Sequence, residues 1–385
     1  MRVLILHSQY RSGSMSGENR VVDDEERLLR KAGFDVHVLR PAAGRGVGAV
    51  RAGIGSVWDP GRAAQTRRAI RAFRPDVVHA HNLFPALSPS VIRSAAAEGV
   101  PVVMTLHNFR LLCLPATFLR DGQVCEDCLG RLPWPGLVHG CYRGSRVMSL
   151  PYFASLSLHR GLDTFELVTR FVAVSDFVRA KHIEAGMPGD RIVVKPNFAW
   201  PSKRREGPGN YFLYLGRLSP EKGVDTVLRS WHPELGQLVI AGDGPEVHWL
   251  QQSSPPEVRF IGPVPPEKIP DLIRGARAVL VPSRGFEAFP HVVVEAYAAG
   301  VPIVASRNGA LPEVVEGDVT GFLAQPDVPA SWTEQIEGLL DDGVSERLGE
   351  GAYLRWAERY TPEESLRQLE AIYADAMAAV GREAG

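Results

Sequence analysis

Two carboxylates in one short segment are the residues best placed to do chemistry. Glu287 and Glu295 lie in an otherwise apolar stretch, Ser283 to Gly300, and Pro290 stands between them where a helix would begin. The apolar runs on either side predict strand, loop, helix and strand, so Glu287 is expected in the loop and Glu295 on the helix. Such βαβ units bind ligands at the carboxyl ends of their strands.

Two cations follow the first predicted strand of the second half. The segment from Gly216 to Gly223 reads Gly-Arg-Leu-Ser-Pro-Glu-Lys-Gly, in which Arg217 and Lys222 place positive charges at the carboxyl end of the strand. Two cations beside a helix start suit a diphosphate, whereas a solvated charge cluster is the alternative. The next strand end, Ala-Gly-Asp-Gly-Pro at 241–245, supplies glycines that either face a ligand or only form a turn.

Polar or flexible residues also follow the predicted strands of the first half. Gly13 and Gly17 lie in a predicted loop before a helix, where backbone N–H groups can approach a phosphate. Their spacing matches no dinucleotide or P-loop fingerprint, and ordinary turn glycines are the alternative. Asn82 and His107 follow two later strands, and strand-end polar residues usually face the ligand site of such a sheet. A hydrogen-bonded structural role is the alternative for both.

All four cysteines fall between residues 110 and 145, where the alternation of strands and helices stops. Cys125 and Cys128 form a Cys-x2-Cys pair, with Cys113 before it and Cys141 after it. Four thiolates at this spacing are candidates for a structural zinc site, and plain thiols or disulfides are the alternatives. Four sulfur ligands would leave no open coordination position for catalysis.

The elements around these residues alternate in a way that indicates two doubly wound α/β domains. A length of 385 residues favours two domains, and the Pro-, Lys- and Arg-rich stretch at 196–210 marks a boundary, giving 1–198 and 199–385. The amphipathic stretch 363–379 is expected to be a helix that packs back on the first domain. The predicted strands are 1–7, 35–39, 76–81, 100–106, 171–175 and 192–195, then 211–215, 237–241, 258–261, 278–281, 302–305 and 321–323; predicted helices include 20–32, 65–73 and 88–98.

The two halves of the chain differ in charge. Residues 1–200 hold 26 Lys and Arg against 17 Asp and Glu, a net +9, whereas residues 201–385 hold 17 against 27, a net −10. A basic half attracts anionic partners such as a phosphate-bearing substrate or an acidic membrane surface, with a solvated face as the alternative. No nucleic-acid-binding motif accompanies the arginines, so nucleic acid is not expected. The absence of a signal-like start and of an apolar run of about 18 residues predicts a cytoplasmic protein, peripheral at most to the inner face of the membrane.

Together these motifs resemble the retaining GT-B glycosyltransferases of family four. The resemblance is carried by the two glutamates, the segments 216–223 and 241–245, Pro196-Asn197 and His107, and it covers nearly the whole chain. The cysteine-bearing insertion resembles one bacterial subgroup. What the resemblance implies is a fold of two facing Rossmann-like domains with a cleft between them, and transfer of a sugar from a nucleotide-diphosphate sugar to an acceptor.

The resemblance also implies a role for each site residue. Arg217 and Lys222 would neutralise the departing diphosphate, Glu287 would hold the donor sugar, and His107 would lie near the transferred sugar. Asn82 is expected on the acceptor side. Family members commonly have Gly-Phe-Gly where this chain has Ala-Phe-Pro, and proline lacks an N–H. The implied donor-binding set is Gly216, Glu295, Ala288, Phe289, Pro290, Arg259, Gly262, Gly13 and Gly17.

Paired glutamates also occur in retaining glycoside hydrolases, as nucleophile and acid. We disfavour that mechanism, because nothing brings both carboxylates to one anomeric carbon and the neighbouring cations suit a phosphate leaving group. The expected chemistry is front-face attack by the acceptor hydroxyl, with retention and with no catalytic divalent metal. The acceptor is a small molecule, a glycan or a lipid-linked sugar. A GT-B epimerase, a phosphorylase and a non-catalytic nucleotide-sugar-binding module stay open as alternatives.

Overall fold

The computed structural model describes residues 1–9, 17–42 and 53–383, which fall into two compact units. Each unit is built on one six-stranded parallel sheet, so the predicted pair of Rossmann-like α/β folds is confirmed. The first unit takes in Met1–Phe118, Glu126–Pro196 and Leu366–Gly385, and the second takes in Leu119–Cys125 and Asn197–Ser365.

The sheet of the first unit brings the ends of three strands together. Its strands are β1 (Arg2–Leu6), β2 (Asp35–Leu39), β3 (Val77–Ala80), β4 (Val102–Leu106), β7 (Arg170–Ala173) and β8 (Ile192–Val194), while β5 (Leu119–Arg120) and β6 (Gln123–Val124) form a separate hairpin. The order across the sheet is β2-β1-β3-β4-β7-β8. Strands β1 and β4 are almost wholly buried, as expected of parallel strands that helices cover on both faces. The carboxyl ends of β1, β3 and β4 are therefore neighbours.

The helices of the first unit are amphipathic or short. The predicted helix at 65–73 begins earlier, at Pro60, because the side chain of Asp59 accepts the N–H of Arg62 at 2.9 Å and caps it. The helices are Gly17–Lys31, Pro60–Phe73, Ser90–Ala96, Trp134–Val138, Arg146–Gly161 and Asp176–Glu184.

The sheet of the second unit repeats this arrangement. Its strands are β9 (Tyr211–Leu215), β10 (Leu238–Ala241), β11 (Val258–Gly262), β12 (Ala276–Val281), β13 (Ile303–Ser306) and β14 (Gly321–Ala324), in the order β11-β10-β9-β12-β13-β14. The loops after β10, β9 and β12 consequently meet at one edge. The helices are Val224–Ser230, Val247–Gln252, Ile269–Arg274, His291–Ala298, Leu311–Val314, Pro329–Glu337 and Asp342–Arg359.

The last helix, Pro362–Glu383, contributes its residues from Leu366 onward to the first unit. Tyr373 is fully buried there, and its hydroxyl lies 2.8 Å from Nδ1 of His79. Asp375 pairs with Arg170 at 2.5 Å. Across the described residues, none of the helices combines the length and the apolar character that a bilayer crossing needs.

Candidate active site

Glycines line the strand ends of the second unit. Gly216 follows β9, Gly242 follows β10, and Gly262 ends β11. The N–H of Gly216 donates to the carbonyl of Ala241 at 3.0 Å, and the N–H of Gly242 donates to the carbonyl of Gly262 at 2.8 Å. A Cβ at Gly242 would collide with the carbonyl oxygen of Gly216. Glycine is thus required at position 242 for the loops after β9 and β10 to pack, and the lack of side chains lets a ligand approach the backbone.

An ion pair joins the two charged residues that the sequence singled out here. The Nζ of Lys222 lies 2.6 Å from Oε1 of Glu287, and the same oxygen accepts the hydroxyl of Ser283. Burial lowers the pKa of Lys222, but the charge of Glu287 and its hydrogen bond outweigh that effect and raise the pKa above its ordinary value. The ammonium therefore stays charged at physiological pH and is held in one place.

Arg217 adds a second cation beside this pair. It is exposed, and its charge opposes the protonation of Lys222, so the two cations act on each other. The carbonyl of Arg217 accepts the hydroxyl of Tyr214 at 2.6 Å, which fixes the loop. Burial, and then the charge of Glu287, raise the pKa of Tyr214 well above its ordinary value, so the phenol is a neutral donor. Two neighbouring cations at strand ends suit a diphosphate.

Backbone contacts hold the loop of the ammonium against the loop of the carboxylate. The N–H of Arg284 donates to the carbonyl of Glu221 at 2.9 Å. Gly223 has a φ of +62°, and a Cβ there would collide with the carbonyl oxygen of Pro282. The glycine in Glu-Lys-Gly is therefore needed for the close approach that forms the ion pair.

An arginine network next to these loops was missed by sequence reasoning. The guanidinium of Arg284 contacts Oδ1 of Asp327 at 2.8 Å, Oγ1 of Thr226 at 3.1 Å and the carboxylate of Asp225. Burial lowers the pKa of Arg284, but the two carboxylates outweigh that effect and raise the pKa above its ordinary value. Asp225 lies two residues after Gly223, the end of the site motif, and could have been noticed, whereas Asp327 lies far along the chain and no local spacing connects it to Arg284.

The Ala-Phe-Pro segment leads into the helix His291–Ala298. The side chains of Ala288 and Phe289 are buried, and the ring of Phe289 packs edge-on against Tyr360, with centroids 5.7 Å apart. Pro290 is the N-cap, in extended conformation. Within the described ranges, the N–H groups of Ala288 and Phe289 have no hydrogen-bond acceptor. Two backbone donors thus precede the proline that lacks one.

The remaining predicted donor-site residues are placed as follows. Glu295 lies on the helix as predicted, with Oε1 at 3.5 Å from Nδ1 of His291, and Arg259 is exposed on β11. Gly17 is the first residue of its helix, so its predicted place in a loop is wrong. Gly13 lies outside the described residues. The donor-site roles of all these residues stay predictions.

Histidines follow three neighbouring strands of the first unit. His7, His81 and His107 come directly after β1, β3 and β4. Nδ1 of His81 lies 2.8 Å from Nε2 of His107, and their rings stack with centroids 5.1 Å apart. Burial lowers the pKa of His81 to about 3, that of His7 to about 4 and that of His107 well below its ordinary value. All three rings are therefore neutral near pH 7.

Asn82 lines the same small pocket as His107. Its side chain is buried, its Nδ2 donates to the carbonyl of Phe84 at 2.8 Å, and its Oδ1 accepts the N–H of Phe84 at 3.1 Å. The amide therefore holds the loop after β3, and its expected acceptor-side role stays a prediction.

A buried carboxylate lies behind the histidines. Oε1 of Glu25 is 3.0 Å from Nδ1 of His79 and 3.4 Å from Nε2 of His81, and Oε2 is 3.6 Å from Nζ of Lys195. Burial opposes ionisation, but His79 and Lys195 outweigh it and hold the pKa of Glu25 well below its ordinary value. Sequence reasoning missed Glu25, although a charged residue in an apolar helical stripe signals a paired buried group. The other residues buried by that helix are Val21, Val22, Leu28 and Leu29.

The cysteine geometry gives no support to the predicted zinc site. All four cysteines are thiols, and burial raises the pKa of Cys113 to about 12. Cys113, Cys128 and Cys141, which lie in the first unit, do not form a cluster of ligand atoms within 4.8 Å of one another, and Cys125 groups with the second unit. Structural zinc stays a prediction for metal analysis.

Comparison with known families decides what kind of protein carries this geometry. The model for glycosyl transferases group 1 matches residues 198–355, and the model for glycosyltransferase family 4 matches residues 15–199. The chain belongs to the group 1 glycosyltransferases. The sequence-based resemblance and the GT-B fold are thereby confirmed, and the group 1 model spans the strand ends of the second unit that carry Lys222 and Glu287.

Several known proteins are similar to this glycosyltransferase. A D-inositol 3-phosphate glycosyltransferase of Acidothermus cellulolyticus is 29% identical over 334 residues, covering 79% of this chain and 68% of that protein. The match to a Corynebacterium kroppenstedtii enzyme of the same name, 33% identical, spans only 40% of that enzyme. Two solved structures share the fold: Anabaena HepE in complex with UDP-glucose (TM-score 0.68, 18% identity, 97% of this chain and 99% of that one) and sucrose-phosphate synthase from Thermosynechococcus elongatus (TM-score 0.72, 16% identity, 98% and 99%).

Proposed function

We propose that this glycosyltransferase transfers a sugar from a nucleotide-diphosphate sugar to an acceptor hydroxyl with retention of configuration. The observation that carries the proposal is the ion pair of Lys222 and Glu287, 2.6 Å apart, beside Arg217 and a glycine-lined strand end. The cations bind the diphosphate, and Glu287 accepts hydrogen bonds from the donor sugar. Glu295 binds the ribose of the nucleotide, and the N–H groups of Ala288 and Phe289 add contacts to the sugar.

The proposed step needs no nucleophile from the protein. The acceptor hydroxyl oxygen forms a bond to the anomeric carbon on the same face from which the diphosphate departs. The bond between the anomeric carbon and the diphosphate oxygen breaks, and its electron pair stays on that oxygen. The acceptor proton passes to the departing phosphate oxygen. Lys222 and Arg217 stabilise the charge that develops on that oxygen, the kind of preorganised electrostatic effect that often dominates catalysis. Because these cations carry the charge, no divalent metal is required in this mechanism.

A uridine nucleotide is the first donor class to test, because the structurally similar HepE was solved with UDP-glucose. A thermal-shift screen of UDP, GDP and ADP sugars tests this, since a ligand that binds only the folded state raises its stability. We expect one nucleotide class to raise Tm in wild type and not in Lys222→Ala. A screen in which no nucleotide sugar shifts Tm would contradict the proposal, and binding without transfer or hydrolysis would favour a non-catalytic module.

We further propose that the protein works in the cytoplasm and contacts the anionic inner face of the membrane. The support is an acid-free segment of the first unit: no Asp or Glu occurs from Cys128 to Leu162. Trp134 is 52% exposed, Val147 78% and Leu150 52%. Exposed aromatic and aliphatic groups among arginines match an interface of anionic headgroups over apolar chains. We name six exposed residues of this segment the Trp134 patch: Arg131, Trp134, Val138, Arg146, Val147 and Leu150.

A second group of arginines that could contact a membrane comprises Arg62, Arg67, Arg68, Arg71 and Arg74. They belong to or follow the helix Pro60–Phe73, where Arg71 pairs with Glu98 at 2.8 Å and Arg62 bonds Gln65 at 2.8 Å. That helix buries Ala63, Thr66 and Ile70 and thus uses its apolar face for packing. The Trp134 patch is consequently the better candidate for lipid contact, and it suits a lipid-linked acceptor.

A further inference from the structure

We propose that Glu25 and His81 are positioning residues that keep the proton of His107 on Nε2, so that His107 presents Nδ1 to a substrate hydroxyl as a hydrogen-bond acceptor. The proposal rests on the proposed function for its consequence in catalysis. Its structural part, the proton position, stands on the contacts behind His107 alone.

Glu25 is an ionised carboxylate inside the first unit. The carboxylate is fully enclosed and lies 3.0 Å from His79 and 3.6 Å from Lys195, and these two groups keep it ionised against the effect of burial. An ionised carboxylate only accepts hydrogen bonds. Nε2 of His81 lies 3.4 Å from Oε1 and, among the described residues, makes no hydrogen bond, so the charge of the carboxylate favours a proton on this nitrogen, since a lone pair facing it would be repelled.

The proton position on His81 determines the proton position on His107. Because burial keeps His81 neutral, a proton on Nε2 leaves Nδ1 with only a lone pair. The contact of 2.8 Å between Nδ1 of His81 and Nε2 of His107 then has one possible donor, Nε2–H of His107. His107 is neutral as well, so its own Nδ1 carries the lone pair. A partly exposed ring at a strand end thus offers an acceptor of fixed identity.

The ring of His79, the other histidine beside Glu25, is held by two further contacts. Nε2 of His79 lies 2.8 Å from Oγ1 of Thr105, and Nδ1 lies 2.8 Å from the hydroxyl of Tyr373, so this ring is held on both sides. His79 and Lys195 consequently anchor Glu25, and His81 is the ring through which Glu25 reaches His107.

A metal ion is the competing occupant of this cluster. Ligand atoms of Glu25, His79 and His81 lie within 4.8 Å of one another, and three such donors suit a transition metal. Lys195 opposes that reading, because its ammonium already lies 3.6 Å from the second oxygen of the carboxylate and would repel a dication. The arrangement is that of an internal ion pair with histidines, not of a cation site.

Nitrogen-15 NMR of histidine-labelled wild-type protein tests the proton position without any activity measurement. At pH 7 we expect the His107 ring, assigned by its loss in His107→Gln, to show the Nε2–H neutral form, unchanged by zinc or by chelator. A Nδ1–H form, an imidazolium, or a signal that shifts on zinc addition would overturn the proposal. If the protein shows the Nε2–H form but neither transfers nor hydrolyses any nucleotide sugar, the proposed function fails and the positioning inference stands.

The variant Glu25→Gln tests the coupling. Its amide donates to Nε2 of His81, so Nδ1 of His81 becomes the donor and the His107 proton moves to Nδ1. We expect that shift in the spectrum together with a drop in kcat of about 10- to 100-fold, typical of removing a group that orients a functional histidine, and little change in the donor KM. The matched control is His159→Gln, a buried histidine bonded to Val57 and Thr164 instead. An unchanged His107 spectrum in Glu25→Gln, or an equal loss of kcat in the control, would refute the coupling; if Glu25→Gln does not fold, the wild-type spectrum decides.

Discussion

Replacing Lys222 by alanine should abolish most of the activity while leaving the fold intact. The structure separates the two effects. Lys222 is about one-third exposed and Glu287 keeps the hydroxyl of Ser283 as a donor, so losing the ion pair costs about 1 to 2 kcal/mol of unfolding free energy. Losing a cation aimed at the departing diphosphate costs about 3 to 4 kcal/mol of transition-state stabilisation, a fall in kcat of roughly 100- to 1000-fold.

The chain supplies a matched control for this variant. Pro266, Glu267 and Lys268 form the same Pro-Glu-Lys turn in the same unit, but Lys268 is exposed. Donor turnover is followed by release of the nucleotide, and stability by chemical denaturation of each variant. We expect Lys268→Ala to match wild type in both. Wild-type turnover in Lys222→Ala, or an equal loss in Lys268→Ala, would refute the role assigned to the ion pair.

Four further predictions follow from the same contacts. Glu287→Gln should raise the donor KM and lower kcat by at least about tenfold, because an amide has no charge to pair with the Lys222 ammonium and only one acceptor oxygen where the carboxylate has two; equal kinetics in wild type and variant would contradict this. Wild-type protein should sediment with anionic liposomes at low salt and less at high salt. Trp134→Glu should lose this binding, whereas Trp249→Glu, at an equally exposed tryptophan of the second unit, should keep it. If neither variant loses binding, the Trp134 patch is excluded as the membrane contact. The free energy of unfolding should fall as the pH drops from about 6.5 towards 4, by up to about 1.4 kcal/mol per pH unit for each histidine that is neutral in the fold. The reason is that burial lowers the pKa of His81 to about 3 in the folded protein, so the unfolded chain takes up protons first. A flat stability profile over that range would contradict this prediction. Metal analysis of protein purified without added zinc tests the four cysteines, and well under half an equivalent would end the zinc prediction.

Much of the fold could be predicted because the chain alternates apolar runs with amphipathic stretches. Predicted and observed strand bounds agree to within two residues, since glycines and polar residues mark the ends of buried parallel strands. The site residues Lys222, Glu287 and His107 could be chosen for the same reason, as each follows a strand. The pairing of these residues could not be predicted. Lys222 and Glu287 are 65 positions apart, and only the strand order brings their loops together.

The buried charges were harder to predict than the strand-end groups. Glu25 belongs to an otherwise ordinary amphipathic helix, and its pairing with Lys195 depends on the strand order across the whole first sheet. That helix begins at Gly17 and not at the predicted residue 20, so Gly17 belongs to the helix and not to the preceding loop. The cysteine spacing suggested a metal site, but spacing in sequence does not fix the separation of thiols in space.

The stereochemistry of donor cleavage tests the central claim most directly. Proton NMR of the reaction with the nucleotide sugar selected by the thermal-shift screen reports the anomeric configuration of the first product, whether the sugar passes to an acceptor or to water. We expect an α-linked donor to give an α-configured product, and we expect this product to form at least about 100-fold more slowly in Lys222→Ala. A β-configured first product, or cleavage at the wild-type rate in Lys222→Ala, would contradict it.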